Sequence, residues 1–402
     1  MLIQTRILFT ILLVFTGTLA CKKESIPLID QTAPSLTLQD LVYKYHKKHP
    51  ELPGITVTIV TANNIANTAA AGYSDVQLKT PLTSFHKIGV ASNTKMLTAV
   101  IILQLMEEGK LSLNDKISDY LQEPWVDSLN IQNGILLGGF VRIIDLLKHN
   151  SGISDYVDEN FIINTEFSPN KAYTFEQLMR YAIYNGESHF IPGTPGKYNY
   201  SSTNYTLLGL IIERVTGDKY ENVLRNRILN PANMKNSFLH SYEAVIPPLS
   251  NGYYGTNNIA DDNLSWVWAT GGLASHSFDM TRFLSYLLEG KFFKKTSTLQ
   301  LMLNFSSDSE EEYGYQYGLG IMKFNFGNGF NPIGHIGSLH GYTSACYYLP
   351  EHHSYMFVGI TTGGAHAYLF DLLGQAYRFQ TQRMFPKPPL PKLGGKIHLG
   401  HW

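Results

Sequence analysis

Residues 92–106 read SNTKMLTAVIILQLM, a run in which apolar side chains occupy every face of a helix. A helix that is apolar all round is buried in the core of a domain. Glu107, Glu108 and Gly109 follow and provide a glycine stop for it. The sequence therefore predicts a central buried helix that Ser92 opens, with Lys95 on its first turn.

The spacing of Ser92 and Lys95 suits nucleophilic catalysis. Residues three apart share a helix face, with Cβ atoms about 5–6 Å apart, and the free N–H groups at a helix N-terminus suit a developing oxyanion. Apolar surroundings push a lysine towards its neutral form, which accepts a proton from a serine hydroxyl. The alternative is an N-capping serine followed by a surface lysine, which is harder to reconcile with an all-round apolar helix.

Two further Ser-x-x-Lys pairs occur in the chain, Ser84 with Lys87 and Ser168 with Lys171. Ser84 lies in a polar stretch, and Ser168 precedes a proline in a predicted loop, so neither serine opens a buried helix. We therefore assign the nucleophile to Ser92.

Strand patterns occur at both ends of the chain and helical patterns in its middle. Residues 55–60 alternate apolar and polar, as a half-buried strand does. A returning strand is predicted at 66–73, late strands at 344–349 and 355–361, and helices at 36–46, 141–148, 205–215 and 367–379. This order predicts one sheet assembled from residues 50–90 and 290–385, with a mainly helical part inserted at 91–289.

The N-terminus is typical of an exported protein. Arg6 precedes a short apolar run at 7–15 and small residues up to Ala20, as in a secretory signal peptide covering 1–20. Cys21 follows in a segment that resembles a bacterial lipobox, with Thr18 in place of the usual Leu. We predict a lipid anchor on Cys21 and a location in the cell envelope; the alternative is a plain signal peptide cut near Ala20.

Composition excludes several classes of function. The chain has 31 basic and 32 acidic residues and no basic block, which argues against nucleic-acid binding. His352-His353 and His398 with His401 lack acidic or cysteine partners at ligand spacing, so no metal or other cofactor is predicted. Cys346 lies in a strand-like run and is interpreted as a buried thiol. Residues 21–33 are predicted to be a linker and 386–402 a proline-rich tail.

Residues 192–205, PGTPGKYNYSSTNY, carry a family resemblance. They resemble the Pro-Gly…Tyr-Ser-Asn…Tyr segment of class C β-lactamases, serine DD-peptidases and related esterases, which are penicillin-binding-protein-like serine hydrolases. The resemblance implies that Tyr200 is the catalytic tyrosine, a phenol that relays a proton beside a lysine; Tyr198 is the competing candidate. Ser202 stands where the family usually carries an Asn that holds the substrate amide, so we expect weaker amide recognition.

Residues 334–338, GHIGS, resemble the Lys-Thr-Gly or His-x-Gly strand of the same family. The resemblance implies that Gly337 lets substrate approach the strand edge and that the Ser338 N–H joins the Ser92 N–H as the oxyanion hole. His335 takes the place of the lysine that attracts a substrate carboxylate. A single histidine is usually a core or surface residue without a catalytic role. Ser92, Tyr200 and His335 follow one another in the same order as the family's motifs, and this order favours a role for His335 in the active site.

The resemblance extends from about residue 35 to about residue 380. Residues 146–152, 270–275 and 317–320 also match family segments and are assigned to architecture and cleft lining. The implied fold is α/β of the α+β type, with an antiparallel β-sheet flanked by helices and an inserted, mainly helical subdomain. It is β-lactamase/transpeptidase-like and occupies a catalytic domain at 34–385.

The implied function is an exported serine hydrolase that works through an acyl-enzyme on Ser92. Its substrate is a small peptide, as for D-alanyl-D-alanine carboxypeptidases, or a carboxylic ester, with peptidoglycan or a β-lactam as further partners. β-Lactamase activity is the least favoured, because His335 replaces the lysine. The alternative is a catalytically weak penicillin-binding or peptidoglycan-binding lipoprotein that retains the cleft; Ser202 supports it, and the intact set of Ser92, Lys95 and Tyr200 argues against it.

Overall fold

The computed structural model describes residues 36–166, 168–327 and 329–384. The predicted signal peptide, the Cys21 anchor, the linker and the proline-rich tail lie outside these residues. Among the residues inside them, no helix has both the length and the apolar character needed to cross a bilayer.

An eight-stranded antiparallel sheet forms the main layer, and its strands come from both ends of the chain in the order β11-β12-β13-β14-β15-β1-β2-β3. A smaller sheet has the order β4-β10-β7, and two short hairpins complete the strands. The strands are β1 (Gly54–Val60), β2 (Ala66–Asp75), β3 (Thr80–Pro81), β4 (Lys87–Gly89), β5 (Ile131–Gln132), β6 (Ile135–Leu136), β7 (Phe238–Leu239), β8 (Tyr253–Tyr254), β9 (Asn257–Asn258), β10 (Leu273–His276), β11 (Tyr315–Tyr317), β12 (Met322–Phe324), β13 (Ile333–Leu339), β14 (Tyr342–Leu349) and β15 (Ser354–Ile360).

Helices cover both faces of the large sheet and build the middle of the chain. The first and last helices pack on one face, and α9 packs on the other against β1, β14 and β15. The helices are α1 (Leu36–Lys48), α2 (Thr94–Glu107), α3 (Ile143–Leu147), α4 (Glu159–Glu166), α5 (Phe175–Asn185), α6 (Ser202–Thr216), α7 (Tyr220–Leu224), α8 (Trp268–Gly271), α9 (Ser277–Leu288), α10 (Thr296–Met302), α11 (Glu310–Tyr313) and α12 (His366–Met384). The predicted fold class, an antiparallel sheet flanked by helices, is confirmed.

The prediction that β1 is half-buried is wrong. Ile55 and Val57 face the core under α1 and α12, as their alternation predicts. Thr56 and Thr58 on the opposite face are also buried, and the Thr58 hydroxyl lies 2.7 Å from the Ser277 hydroxyl of α9. A central strand covered on both faces tolerates threonine, because β-branched side chains suit a pleated surface, and the Thr58 hydroxyl has a polar partner in Ser277.

Helix α2 crosses the core between the large sheet and the helical part. Eleven of its fourteen residues are buried, on every side of the helix. It packs against α6, α7 and α8. Because a 3₁₀ turn, Ala91–Asn93, leads directly into it, Ser92 stands at the point where the buried helix meets β13.

Candidate active site

The turn that carries Ser92 is held in an uncommon conformation. Ala91 has φ +49°, in the left-handed region that alanine rarely adopts. Side-chain hydrogen bonds fix this turn to β14, since Asn93 Nδ2 donates to Ser344 Oγ (2.9 Å) and Ser344 Oγ donates to the Val90 carbonyl (2.8 Å). The surrounding structure therefore determines the position of the Ser92 hydroxyl, whose side chain is half-buried.

Gly337 brings β13 directly against this turn. A Cβ atom built on Gly337 would lie 2.4 Å from the Val90 carbonyl oxygen and 2.9 Å from the Ser92 backbone nitrogen. Only glycine fits such an approach, which places the following residue, Ser338, beside the Ser92 turn. The half-buried hydroxyl of Ser338 accepts a hydrogen bond from the Gly364 N–H at 3.3 Å.

Lys95 lies fully buried one helical turn beyond the serine. Its Nζ donates to Ser92 Oγ at 3.0 Å and to the Thr270 carbonyl at 3.0 Å. Burial lowers the pKa of Lys95 to about 7, although the nearby Asp155 charge opposes that shift. Near neutral pH a large share of Lys95 is therefore uncharged and able to accept the Ser92 proton.

The structure brings Tyr200 rather than Tyr198 to this pair. Lys95 Nζ lies 4.9 Å from the centre of the Tyr200 ring, and the Ser92 side chain is close enough to the Tyr200 phenol to act on its pKa, in the lowering direction. Burial raises the pKa of Tyr200 well above its usual value, so its hydroxyl holds its proton. The Tyr198 hydroxyl lies instead 3.2 Å from the hydroxyl of Tyr315.

The other two Ser-x-x-Lys pairs form no comparable centre. Lys87 Nζ donates to the Pro247 carbonyl at 2.9 Å, and Ser168 is an exposed loop residue. Lys171 lies over the ring of Tyr173, with Nζ 4.5 Å from its centre. Of the three Ser-x-x-Lys pairs, the pair of Ser92 and Lys95 is therefore the one that lies on a buried helix turn, with the lysine donating a hydrogen bond to the serine.

His335 belongs to a buried series of hydrogen bonds in which Tyr317 is the middle member. Its Nε2 is 3.1 Å from Tyr317 Oη, which is 3.2 Å from His149 Nε2, and the His335 Nδ1 contacts the Ile336 carbonyl. Burial lowers the pKa of His335 to about 3. A neutral imidazole does not supply the positive charge with which a lysine would attract a substrate carboxylate.

The hydrogen-bond partners at the two ends of this series decide which atoms carry the protons. His149 Nδ1 accepts the Ser201 N–H at 3.1 Å, so a neutral His149 carries its proton on Nε2 and donates it to Tyr317 Oη. The Tyr317 hydroxyl then donates to His335 Nε2, and His335 Nδ1–H donates to the Ile336 carbonyl. These hydrogen bonds link Ser201, next to Tyr200, to His335 on β13.

Sequence reasoning assigned His149 and Tyr317 to architecture, and the structure places both next to the predicted catalytic tyrosine. The His149 ring stacks on the Tyr200 ring with centroids 4.3 Å apart. The Tyr317 ring meets the Tyr200 ring edge-on at 6.5 Å. The sequence indicated both residues only through the family segments in which they lie. A segment match does not show which side chains contact each other.

Ser202 lies beside the carboxylate of Asp155, a residue that the sequence analysis did not identify as a candidate. The N–H and hydroxyl of Ser202, the first residue of α6, are close enough to the Asp155 carboxylate to lower its pKa, and Asp155 Oδ1 accepts a hydrogen bond from the Val157 N–H at 3.0 Å. Burial raises the pKa of Asp155 to about 6 despite these polar groups and the nearby Lys95 charge. The sequence contains no motif around Asp155 that would have singled it out.

The described ranges offer no metal centre, since no three His, Cys, Asp or Glu side chains in them cluster closely enough to hold an ion. The groups gathered at the cleft are a serine hydroxyl, an amine, a phenol and one carboxylate. Together they suit proton transfer and nucleophilic attack on a carbonyl.

Comparisons with known proteins show the family to which this fold belongs. The β-lactamase family model matches residues 42–373. PbpX of Bacillus subtilis (strain 168), a protein named for penicillin binding, is 29% identical over 69% of this chain and 68% of its own length. Protein flp of Staphylococcus aureus (strain MW2) is 27% identical over 76% of this chain, but the match covers only 59% of that relative.

A solved structure of a D-stereospecific amidohydrolase from Streptomyces sp. is also similar. It superposes with a TM-score of 0.70 at 26% identity, covering 81% of this chain and 94% of that one. The family resemblance predicted from residues 192–205 and 334–338 is therefore confirmed.

Proposed function

Because this chain belongs to the β-lactamase family, we propose that this serine hydrolase forms an acyl-enzyme on Ser92 and cleaves an amide, a peptide or a carboxylic ester. The observation that carries the proposal is the 3.0 Å hydrogen bond from the fully buried Lys95 Nζ to Ser92 Oγ. A buried amine with its pKa lowered to about 7 is suited to act as a general base at neutral pH.

In the proposed acylation step, neutral Lys95 accepts the Ser92 hydroxyl proton while Ser92 Oγ attacks the substrate carbonyl. The backbone N–H groups of Ser92 and Ser338 stabilise the oxyanion of the tetrahedral intermediate. The bond to the leaving group then breaks, and Tyr200 passes a proton from the Lys95 ammonium to the departing amine or alkoxide. Water adds to the acyl-enzyme in the reverse sense, releases the acid and returns the proton to Ser92 Oγ.

The substrate type is narrowed by the neutral imidazole of His335, which lacks the charge that would draw in a substrate carboxylate. D-Ala-D-Ala carboxypeptidase and β-lactamase activities both act on substrates with such a carboxylate, so we place amidase and esterase activities ahead of them. We further propose that the protein is exported and anchored in the cell envelope through a lipid on Cys21.

A fluorophosphonate probe followed by intact-mass analysis tests the proposed nucleophile. We expect one adduct, mapped to the Ser92 peptide, and none on Ser92→Ala, which should fold normally. Ser84→Ala and Ser168→Ala are matched controls, since each removes the serine of another Ser-x-x-Lys pair, and both should label as wild type does. Labelling at Ser84 or Ser168 instead of Ser92 would overturn the assignment.

A second candidate function is binding without turnover, in a lipoprotein that retains the cleft. Ser202 favours it, because its short hydroxyl lies beside the Asp155 carboxylate and has less reach towards a substrate amide than the Asn side chain usual in the family. Under this alternative a β-lactam or peptidoglycan fragment binds, but the probe leaves Ser92 unlabelled. The two measurements together separate a binding protein from an enzyme.

A further inference from the structure

Residues 131–140, which we call the apolar hairpin, present large apolar side chains to solvent. Strands β5 and β6 pair around a turn at Asn133-Gly134, where both residues have positive φ. The exposed fractions are 62% for Ile135, 59% for Phe140, 48% for Leu136 and 40% for Ile131. The sequence has no charged residue from 128 to 141. Exposed apolar clusters of this kind often serve as interaction surfaces.

Hydrogen bonds at its base hold the apolar hairpin in this exposed position. The Asn130 side chain is buried, and its Nδ2 donates to the carbonyls of Ser151 (3.0 Å) and Phe190 (2.9 Å). The Ile131 N–H donates to Ser188 Oγ at 2.8 Å. Because these bonds fix the backbone, the apolar side chains cannot fold back onto the domain by a local movement that leaves the bonds intact.

Charged groups lie beside the apolar hairpin rather than on it. Lys116 is exposed, and its Nζ lies 4.6 Å from the centre of the Phe140 ring. Lys116 also forms a β-bridge with Arg142, so two cationic residues adjoin Phe140. An apolar tip with a lysine beside it suits a bilayer interface, because the apolar groups enter the acyl region while the ammonium stays among the phosphates.

The size of this surface argues against a second protein as its occupant. The four side chains expose roughly 400 Å² in total, taking about 150–250 Å² for a fully exposed large side chain. A stable protein–protein interface buries about 800 Å² on each partner. A bilayer needs neither that area nor a complementary shape, since lipids rearrange around an inserted side chain.

The lipid anchor proposed on Cys21 places a bilayer within reach. Leu36, the first described residue, lies fifteen positions after Cys21, and a chain of that length spans at most about 50 Å. That reach is close to the diameter of a domain of about 350 residues. The anchor alone therefore does not decide which face of the domain meets the membrane, whereas an apolar hairpin does.

We propose that the apolar hairpin docks the protein on a phospholipid bilayer, with Ile135, Leu136 and Phe140 among the acyl chains and Lys116 at the headgroups. The partner is the membrane that carries the anchor. The proposal rests in part on the proposed export and does not depend on the chemistry of Ser92. Docking gives the tethered domain one fixed orientation on the membrane.

Vesicle binding tests the docking without relying on the anchor. The full mature chain from residue 21, with Cys21→Ser, is mixed with phosphatidylglycerol and phosphatidylethanolamine vesicles, and the bound fraction is measured by sedimentation. We expect Ile135→Asn combined with Phe140→Asn to lower the partition coefficient at least tenfold, because both side chains lose their transfer into lipid. Leu78→Asn is the matched control, since Leu78 between β2 and β3 is 78% exposed, and it should bind as the parent does.

A fluorescent label reports the contact directly. In the Cys21→Ser background, Ile135→Cys provides one accessible thiol, because the remaining cysteine, Cys346, is fully buried. An environment-sensitive fluorophore at position 135 should brighten and shift to the blue when vesicles are added. The same label on Leu78→Cys should not respond.

The proposal is overturned if the parent does not bind the vesicles, if the double variant binds as well as the parent, or if the label at 135 does not respond. A dimer in vesicle-free solution that the double variant dissociates also overturns it and assigns the hairpin to a second copy of the chain. Ser92 should react with the fluorophosphonate equally in parent and double variant, which shows that lost binding is not misfolding. An unlabelled Ser92 or an unlipidated Cys21 in wild type contradicts the proposed function and leaves the vesicle result standing.

Discussion

The hydroxyl of Tyr317 offers a direct test of the buried chain below the cleft. The change Tyr317→Phe removes one oxygen atom and keeps the ring, so packing around the site is preserved. Tyr317 Oη lies 3.2 Å from His149 Nε2 and 3.1 Å from His335 Nε2, and all three side chains are buried. The variant therefore leaves a donor on His149 and an acceptor on His335 without a partner.

The expected loss of stability follows from those two groups. A buried polar group left without its hydrogen bond costs about 1–3 kcal/mol, so two of them predict a decrease of about 2–6 kcal/mol in the free energy of unfolding. Urea unfolding, extrapolated to zero denaturant, measures it. Labelling of Ser92 by the fluorophosphonate should also slow in the folded variant, because His149 stacks on Tyr200 and loses the bond that orients its ring.

Tyr315→Phe is the matched control, since Tyr315 lies on the same strand, is equally buried and has one hydroxyl contact, to Tyr198 at 3.2 Å. Its loss should be about 1 kcal/mol. Suppose that Tyr317→Phe unfolds at the same urea concentration as Tyr315→Phe and that its Ser92 is labelled at the wild-type rate. Then the hydrogen bonds of Tyr317 to the two histidines neither stabilise the fold nor position Tyr200.

Three further predictions concern the chemistry and the anchor. Acylation of Ser92 should rise with pH through about 7, because burial lowers the pKa of Lys95 to about 7 and only its neutral form accepts the serine proton; a single-turnover rate that is constant from about pH 5.5 to about pH 8.5 would exclude Lys95 as the base. Ser202→Asn should raise cleavage of N-acylated peptides relative to small esters, by roughly tenfold at most; an unchanged ratio on a substrate panel would make Ser202 a neutral substitution. Cys21→Ser should move the protein from the detergent phase to the soluble fraction or leave an uncleaved precursor, whereas a wild-type protein that is already soluble and unlipidated contradicts the anchor.

Much of the fold could be predicted from local patterns. The all-round apolar run at 92–106 predicts a buried helix, and α2 is buried on every side. The strand patterns at both ends predict one sheet, and β1 pairs with β15 from the other end of the chain. Both results depend on side-chain periodicity, which is a property of neighbouring residues and is visible in the sequence.

The placement of Ser92 against Lys95 was also predictable, because residues three apart on a helix are neighbours whatever the rest of the chain does. Tyr200 required the family resemblance, since no local rule selects it over Tyr198. Burial of Thr56 and Thr58 was not predictable, because it depends on α9, more than 200 residues away.

The charges of the cleft were decided by the tertiary structure alone. His335 is neutral because β11, β13 and the segment before α6 enclose it and leave its Nε2 facing Tyr317. Asp155 faces Ser202 because two distant segments meet there. A side chain's protonation depends on how much water it loses and which groups replace that water. Those groups come from residues far apart in the chain, so the sequence by itself determines that Ser92 and Lys95 are neighbours on one helix turn, whereas folding determines the protonation of the groups around them.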